Sequence, residues 1–330
     1  MTCTPRLSID APDRLTLIAA ASAIVLGGGN AIGIRFVVRE LAPFWAGALR
    51  FGLAASIFLL YVAVRRLPLP RGRALAGVIL YGVLAFGGAF ALGFWGLVRV
   101  EAGLAMVILS LVPLMTLFLA AAHGLEKFSW RGLAGALAAV IGFVVIFGLD
   151  QRTGTPISVA GVLAIAAAAL AISEAGVIIK SFPKVNPAVE NGLAMAIGTV
   201  VLLALSLLFG ETWAMPVEPE TTVAFIYLIV AGSLVVFALF LFILSRWTAS
   251  AASYQFVLTP FITFPAAAWL LGERLSLPML LGALVVVAGV YVGALHRSEL
   301  KDEMSPAQCG PDVMVRPNGP SVEVVVGDGR

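Results

Sequence analysis

Charge is the scarcest component of this chain. Of its 330 residues, 12% are Asp, Glu, Lys or Arg, about half the share of an average soluble domain. So little polar surface cannot cover a water-soluble fold of this size. Histidine is rare as well: His123 and His296 both stand at the ends of apolar runs. Intramembrane hydrolysis or acyl transfer needs a nucleophile beside a base, and neither histidine has that company, so no catalytic residue is expected. Cys3 and Cys309 lie in the two polar ends, which excludes a disulfide framework or a thiolate metal site. No metal or cofactor is expected. A Walker-type phosphate loop is missing too, so the residues give no sign of an ATPase part. The pI near 9.1 does not point to nucleic acid, because the basic residues sit between apolar runs without a basic stripe or interleaved aromatics.

What the chain has instead is hydrocarbon: 61% of residues are hydrophobic and the mean hydropathy is +1.04. A bilayer core of about 30 Å takes roughly 20 apolar residues per helix. Ten runs of that kind occur, at about 15–34, 43–64, 74–98, 102–123, 130–149, 157–179, 187–210, 222–245, 248–272 and 277–295. The first follows Arg6 and Arg14, and the many runs after it make it a retained span, not a cleaved signal. Residues 1–14 form a short polar segment, and 296–330 are rich in Pro, Gly and charge, the composition of a disordered tail. Lys and Arg cluster on the side that holds both ends, which places both termini in the cytoplasm and the chain in the inner (plasma) membrane. The acidic loop of Glu211, Glu218 and Glu220 then faces outward.

The chain also repeats itself. Pro113, Thr116, Ala120, Glu126, Ser129, Gly135 and Gly142 recur 147 positions later as Pro260, Thr263, Ala267, Glu273, Ser276, Gly282 and Gly289. An offset near half the chain marks a duplicated unit, with one copy over 15–149 and the other over 157–295. Five spans per copy is an odd number, so the second copy starts on the opposite side and runs upside down. The expected fold is an all-α membrane protein of ten transmembrane helices in two inverted five-helix repeats.

The repeated pattern P-x-x-T-x-x-x-A-A-x-x-x-x-E-x-x-S, the G-A-L-x-x-V-x-G that follows it, and the stretch APFWAGALRFGLA at 42–54 resemble the EamA-like branch of the drug/metabolite transporter superfamily. That resemblance covers about 15–295. It implies a ten-helix carrier of small metabolites, often amino acids, driven by gradients and without an ATPase part.

Ionisable residues inside hydrocarbon are costly and tend to face a cavity or a partner. Arg50 lies about seven residues into the second span and Glu174 about six from the end of the sixth. Arg50 either meets a substrate carboxylate or phosphate, or ties down helix carbonyls; its recurrence across the family's different substrates favours the second reading. Glu174 is read as a site for a proton or an ammonium group, the alternative being a carboxylate that snorkels to the inner surface. Asn30 sits in the glycine-rich stretch GGGNAIG (27–33), where glycines either open backbone to a cavity or let a helix pack closely. Tyr81, Phe94, Trp95, Tyr227, Tyr254 and Gln255 are further candidates for the cavity wall, and Pro113 and Pro260 for bends that gate it. Glu126 and Glu273, at helix ends, are expected to pair locally or cap the following helix. Glycine pairs 135/142 and 282/289 are read as packing between spans five and ten.

The expected function is secondary-active transport, with export of amino acids or related metabolites by alternating access and with protons as one candidate coupling ion. The partners are a small-molecule substrate and the lipid bilayer, in a monomer or homodimer. The alternative is a flippase for a lipid-linked substrate; an intramembrane enzyme fits the residues poorly.

Overall fold

Long apolar runs have one way to satisfy their backbone in lipid, which is to bond every N–H and C=O within a helix. The computed structural model describes residues 14–125, 130, 133–135, 137–138, 141–142, 158–247, 249–253, 255–273 and 277–294, and among them no strand occurs. Seven helices are long and apolar enough to cross a membrane: α1 (Arg14–Val37), α2 (Pro43–Val64), α3 (Arg73–Leu97), α4 (Ala102–Ala122), α5 (Val159–Ser181), α6 (Pro187–Leu208) and α7 (Pro219–Arg246). Three shorter helices follow, α8 (Ala249–Ser253), α9 (Gln255–Leu271) and α10 (Leu277–Ala294). Described residues between 130 and 142 are helical as well. The remainder of the expected fifth span, both chain ends, Tyr254 and Glu126 lie outside the described residues.

Local chemistry sets the helix ends. Pro43, Pro187 and Pro219 open α2, α6 and α7 in the first turn, where a missing N–H costs nothing. Ser158 Oγ accepts from Gly161 N at the start of α5, and Asn186 Oδ1 from Ala188 N at the start of α6. Gly124, Gly210 and Gly272 have positive φ just after α4, α6 and α9, a left-handed turn that closes a helix and favours glycine. Leu60, Val64, Leu208 and Trp269 are exposed, an outer surface suited to lipid.

The helices cross-pack between the two halves. α2 lies along α6; α1 packs against α9 and α7, while α5 packs against α4 and α3. α3 and α7 each contain a π-helical segment, Gly82–Ala89 and Val230–Val235. Such widened turns leave backbone carbonyls free for other partners. α4 breaks at Ser110 and Leu111, with Pro113 in the first turn of its second part. α9 continues through both Pro260 and Pro265. Gly142 sits where a side chain would strike Gly282 O and Val286 of α10, the close approach read from the glycine pairs.

Charged groups tie the ends. Arg35, near the end of α1, donates from Nη1 to Leu97 O at 2.8 Å, at the close of α3. Glu273 accepts from Ala102 N at 2.8 Å and Gly103 N at 3.1 Å, and lies 3.9 Å from Arg35 Nε. It therefore caps α4, not the helix that follows it in sequence. The reason is geometric: the N-terminus of α4 brings unpaired N–H groups to the end of α9, and a carboxylate satisfies them well. At the opposite end Lys180 Nζ, in the last turn of α5, donates to Leu244 O and Trp247 O at the close of α7.

Candidate functional site

Arg50 is the largest fully buried polar side chain, with no exposed surface. It holds α1, α2 and α7 together: Nε donates to Ser233 Oγ at 2.8 Å, and Nη2 donates to Asn30 Oδ1 at 2.9 Å and to Gly232 O at 3.0 Å. The carbonyl it reaches belongs to the π segment of α7, where the backbone ladder is loosened. The Ser233 hydroxyl in turn donates to Leu228 O at 2.9 Å. Gly232 permits the approach, because a Cβ there would lie 3.0 Å from Arg50 Nη2 and closer still to Asn30 Oδ1. The guanidinium stands over the rings of Phe51 and Phe90, 5.0 and 5.3 Å from their centroids. Nη1 has no hydrogen-bond partner among the described residues.

Beside this cluster is a cavity of about 140 Å³. Its wall comes from α1, α3 and α4 of the first half and α5, α7 and α9 of the second. Asn30, Tyr81 and Gln255, all expected at the site, line it, together with Thr259, Phe90 and Phe237. No Asp, Glu, Lys, Arg or His is among the lining residues. The Gln255 side-chain oxygen is buried without a partner. Gly27 also faces the cavity, whereas Gly28 packs on Ile262, Gly29 on Tyr227 and Gly33 on Leu228. The glycine-rich stretch thus serves both packing and cavity.

The other expected residues are placed elsewhere. Tyr227 donates to Leu26 O. Phe94 is fully buried, with its ring 6.3 Å from that of Phe90, and Trp95 carries the Arg99 guanidinium 3.5 Å above its ring. Glu174 is 2.9 Å from His123 Nε2 through Oε1, joining α5 to the end of α4, while its Oε2 is buried and unpartnered. Pro113 and Pro260 are buried beside the wall and do not line it.

Sequence reasoning passed over three features. Phe90 and Phe237 stand 147 apart, the repeat offset, inside matching F-A-L triplets, and their rings meet 5.9 Å apart across the cavity wall. That internal match was the available signal. Glu190 is 8% exposed in the first turn of α6, followed by the fully buried Asn191, whose amide has no partner on either atom. An acidic residue within an apolar run was the signal there, masked by its nearness to the helix end.

A polytopic helical bundle around an uncharged cavity that both halves line is the architecture of a membrane transporter. The model of the EamA-like transporter family matches residues 14–148 and 159–294, and the chain belongs to that family. It is similar to proteins named "Probable amino-acid metabolite efflux pump" from Salmonella typhimurium and Escherichia coli, each 25% identical, covering 82% and 83% of this chain and 91% and 93% of theirs. An "Uncharacterized transporter" of Synechocystis sp. is 26% identical over 88% of this chain and 92% of its own. One solved crystal structure superposes with a TM-score of 0.65 at 21% identity, covering 87% of this chain and 99% of that one; this likeness concerns the fold alone. Relatives and family alike are named as transporters, not enzymes.

Proposed function

We propose that this protein is a secondary-active exporter of amino acids or related small metabolites, working by alternating access between two inverted five-helix repeats, ten spans in all. The observation that carries the reading is the cavity itself, walled by α1, α3 and α4 on one side and by α5, α7 and α9 on the other. Those are corresponding members of the two sequence repeats, so one chain supplies both halves of the pathway.

Two further features favour inversion. Gly161, in the first turn of α5, lies against Arg99 and Val100 just beyond α3, at the end where α1 finishes with Arg35; α5 therefore begins where its counterpart stops. The links at the two ends also correspond, since Leu97 and Leu244, the carbonyls taken by Arg35 and Lys180, are 147 residues apart. A rocking pair needs such matched closures, one at each mouth. Both termini are assigned to the cytoplasm by the Lys and Arg distribution, and the repeats to 15–149 and 157–295. A cavity without fixed charge suits weak, reversible binding in two states. The driving force is a gradient of protons or of the substrate itself, with Glu174 as the proposed proton site.

The test is counterflow of labelled amino acids in proteoliposomes, with and without a pH gradient. Saturable exchange above empty vesicles is expected, and stimulation by the pH gradient that is lost in Glu174→Gln identifies the proton. Correctly inserted protein that moves none of the amino acids would overturn the reading.

A further inference from the structure

Among the described residues Arg50 is a buried cation without an anion. Its three hydrogen bonds end on neutral acceptors, Ser233, Asn30 and Gly232, and among the described residues the ion pairs are Arg35 with Glu273 and His123 with Glu174. A guanidinium carries five N–H donors, and here the Nη1 pair is shut away from water with nothing to meet. Leaving a charge buried and uncompensated is among the costliest arrangements in a protein interior. Asn30 and Phe90, which contact the guanidinium, also line the cavity, so the buried charge stands one side chain behind the cavity wall, close to any anion that enters.

We infer that Arg50 Nη1 is the anchor for a monocarboxylate, and that the cavity selects an apolar monocarboxylate, with or without an α-amino group. This deepens the exporter reading and rests on it. Charge matching decides between anions: the lining itself has no cation and Arg50 behind it supplies a single positive charge, so a phosphate dianion would leave one negative charge uncompensated against an apolar wall. The same lining has no carboxylate, so an ammonium group finds neutral oxygens at best. Recognition therefore runs through the acid end and the hydrocarbon body, and the amine is dispensable.

The experiment compares three phenyl probes of similar size on the purified full chain: phenylpropanoate, phenethylamine and phenyl phosphate. Thermal stabilisation by each is measured in detergent, and each is then used to compete with labelled phenylalanine counterflow in proteoliposomes. Phenylpropanoate is expected to stabilise and to compete within about threefold of phenylalanine, the amine and the phosphate at least about thirtyfold less well. In Arg50→Gln the preference for acid over amine should collapse, and in Arg50→Lys it should survive in part; the wild-type comparison stands even where a variant fails to fold. Equal or better competition by the amine, or stabilisation by the phosphate and not the carboxylate, overturns this assignment while leaving the carrier intact. Absence of all counterflow sinks the carrier reading instead, and with it this one only if phenylpropanoate also fails to stabilise the protein.

Discussion

The two ends of the bundle solve the same problem with different chemistry. At the end formed by α1, α3 and α4, carboxylates do most of the tying. Glu273 caps α4, Glu211 takes Phe44 N and Trp45 N at the start of α2, and Glu40 takes Val217 N and Glu218 N ahead of α7. Trp45 stacks on Trp213 at 4.9 Å beneath them. At the opposite end the start of α6 is capped by the neutral amide of Asn186, and Lys180 closes α7 through two carbonyls. α2 and α6 are counterparts that pack side by side, yet one carries a charged cap and the other an uncharged one. The lesson is that matched backbone geometry can be held by unequal electrostatics, so the two mouths should differ in their response to pH and to mutation.

The strongest challenge to that contrast is Glu273→Ala. It removes both acceptors from Ala102 N and Gly103 N and leaves Arg35 without its carboxylate, with an expected loss of about 2–4 kcal/mol in thermal unfolding measured in detergent. A loss below about 1 kcal/mol would mean that the charged end is no tighter than the other. Next come Arg35→Met and Lys180→Met, each removing a cation from C-terminal carbonyls at corresponding places. Each should cost about 1–2 kcal/mol, and similar values sharpen the equivalence of the two mouths, while a large gap breaks it.

The smallest effect is a pH dependence at Glu40, whose carboxyl is held below its ordinary value chiefly by the hydrogen bond from the Val217 backbone. A carboxyl with a lowered folded pKa contributes stability that is fully present above its unfolded value, near 4.5, and is lost as pH falls through the lower folded value. The thermal midpoint of the wild type should therefore fall more steeply than that of Glu40→Gln as pH is lowered below that range, with the two curves parallel near neutrality.

Much of the helical architecture was legible because each run of apolar residues is long enough for a bilayer and has polar punctuation on both sides. Asn30 and Arg50 were legible as exceptions within such runs, and they proved to be bonded to each other. Aromatics were harder: Phe94, Trp95 and Tyr227 carry no mark of which way they face, and they sit against Phe90, Arg99 and the α1 backbone. Glu174 and Asn30, both polar exceptions within apolar runs, have different partners, His123 for one and Arg50 for the other. Ser233 and Gly232 had no sequence signal at all, since a serine and a glycine in an apolar helix look like packing residues until a cation from α2 reaches them.

By itself the amino-acid sequence determined that this chain partitions into lipid, that it does so as helices, and that its two halves share an ancestor pattern. Those follow from composition and from the need of each backbone group to bond within its own segment. Only the tertiary structure decided that Arg50 meets Ser233 across 183 positions, that Glu273 serves α4, and that Phe90 faces Phe237. Helices that are apolar on every side have no stripe to dictate their rotation, so which residues turn inward is settled by packing against neighbours.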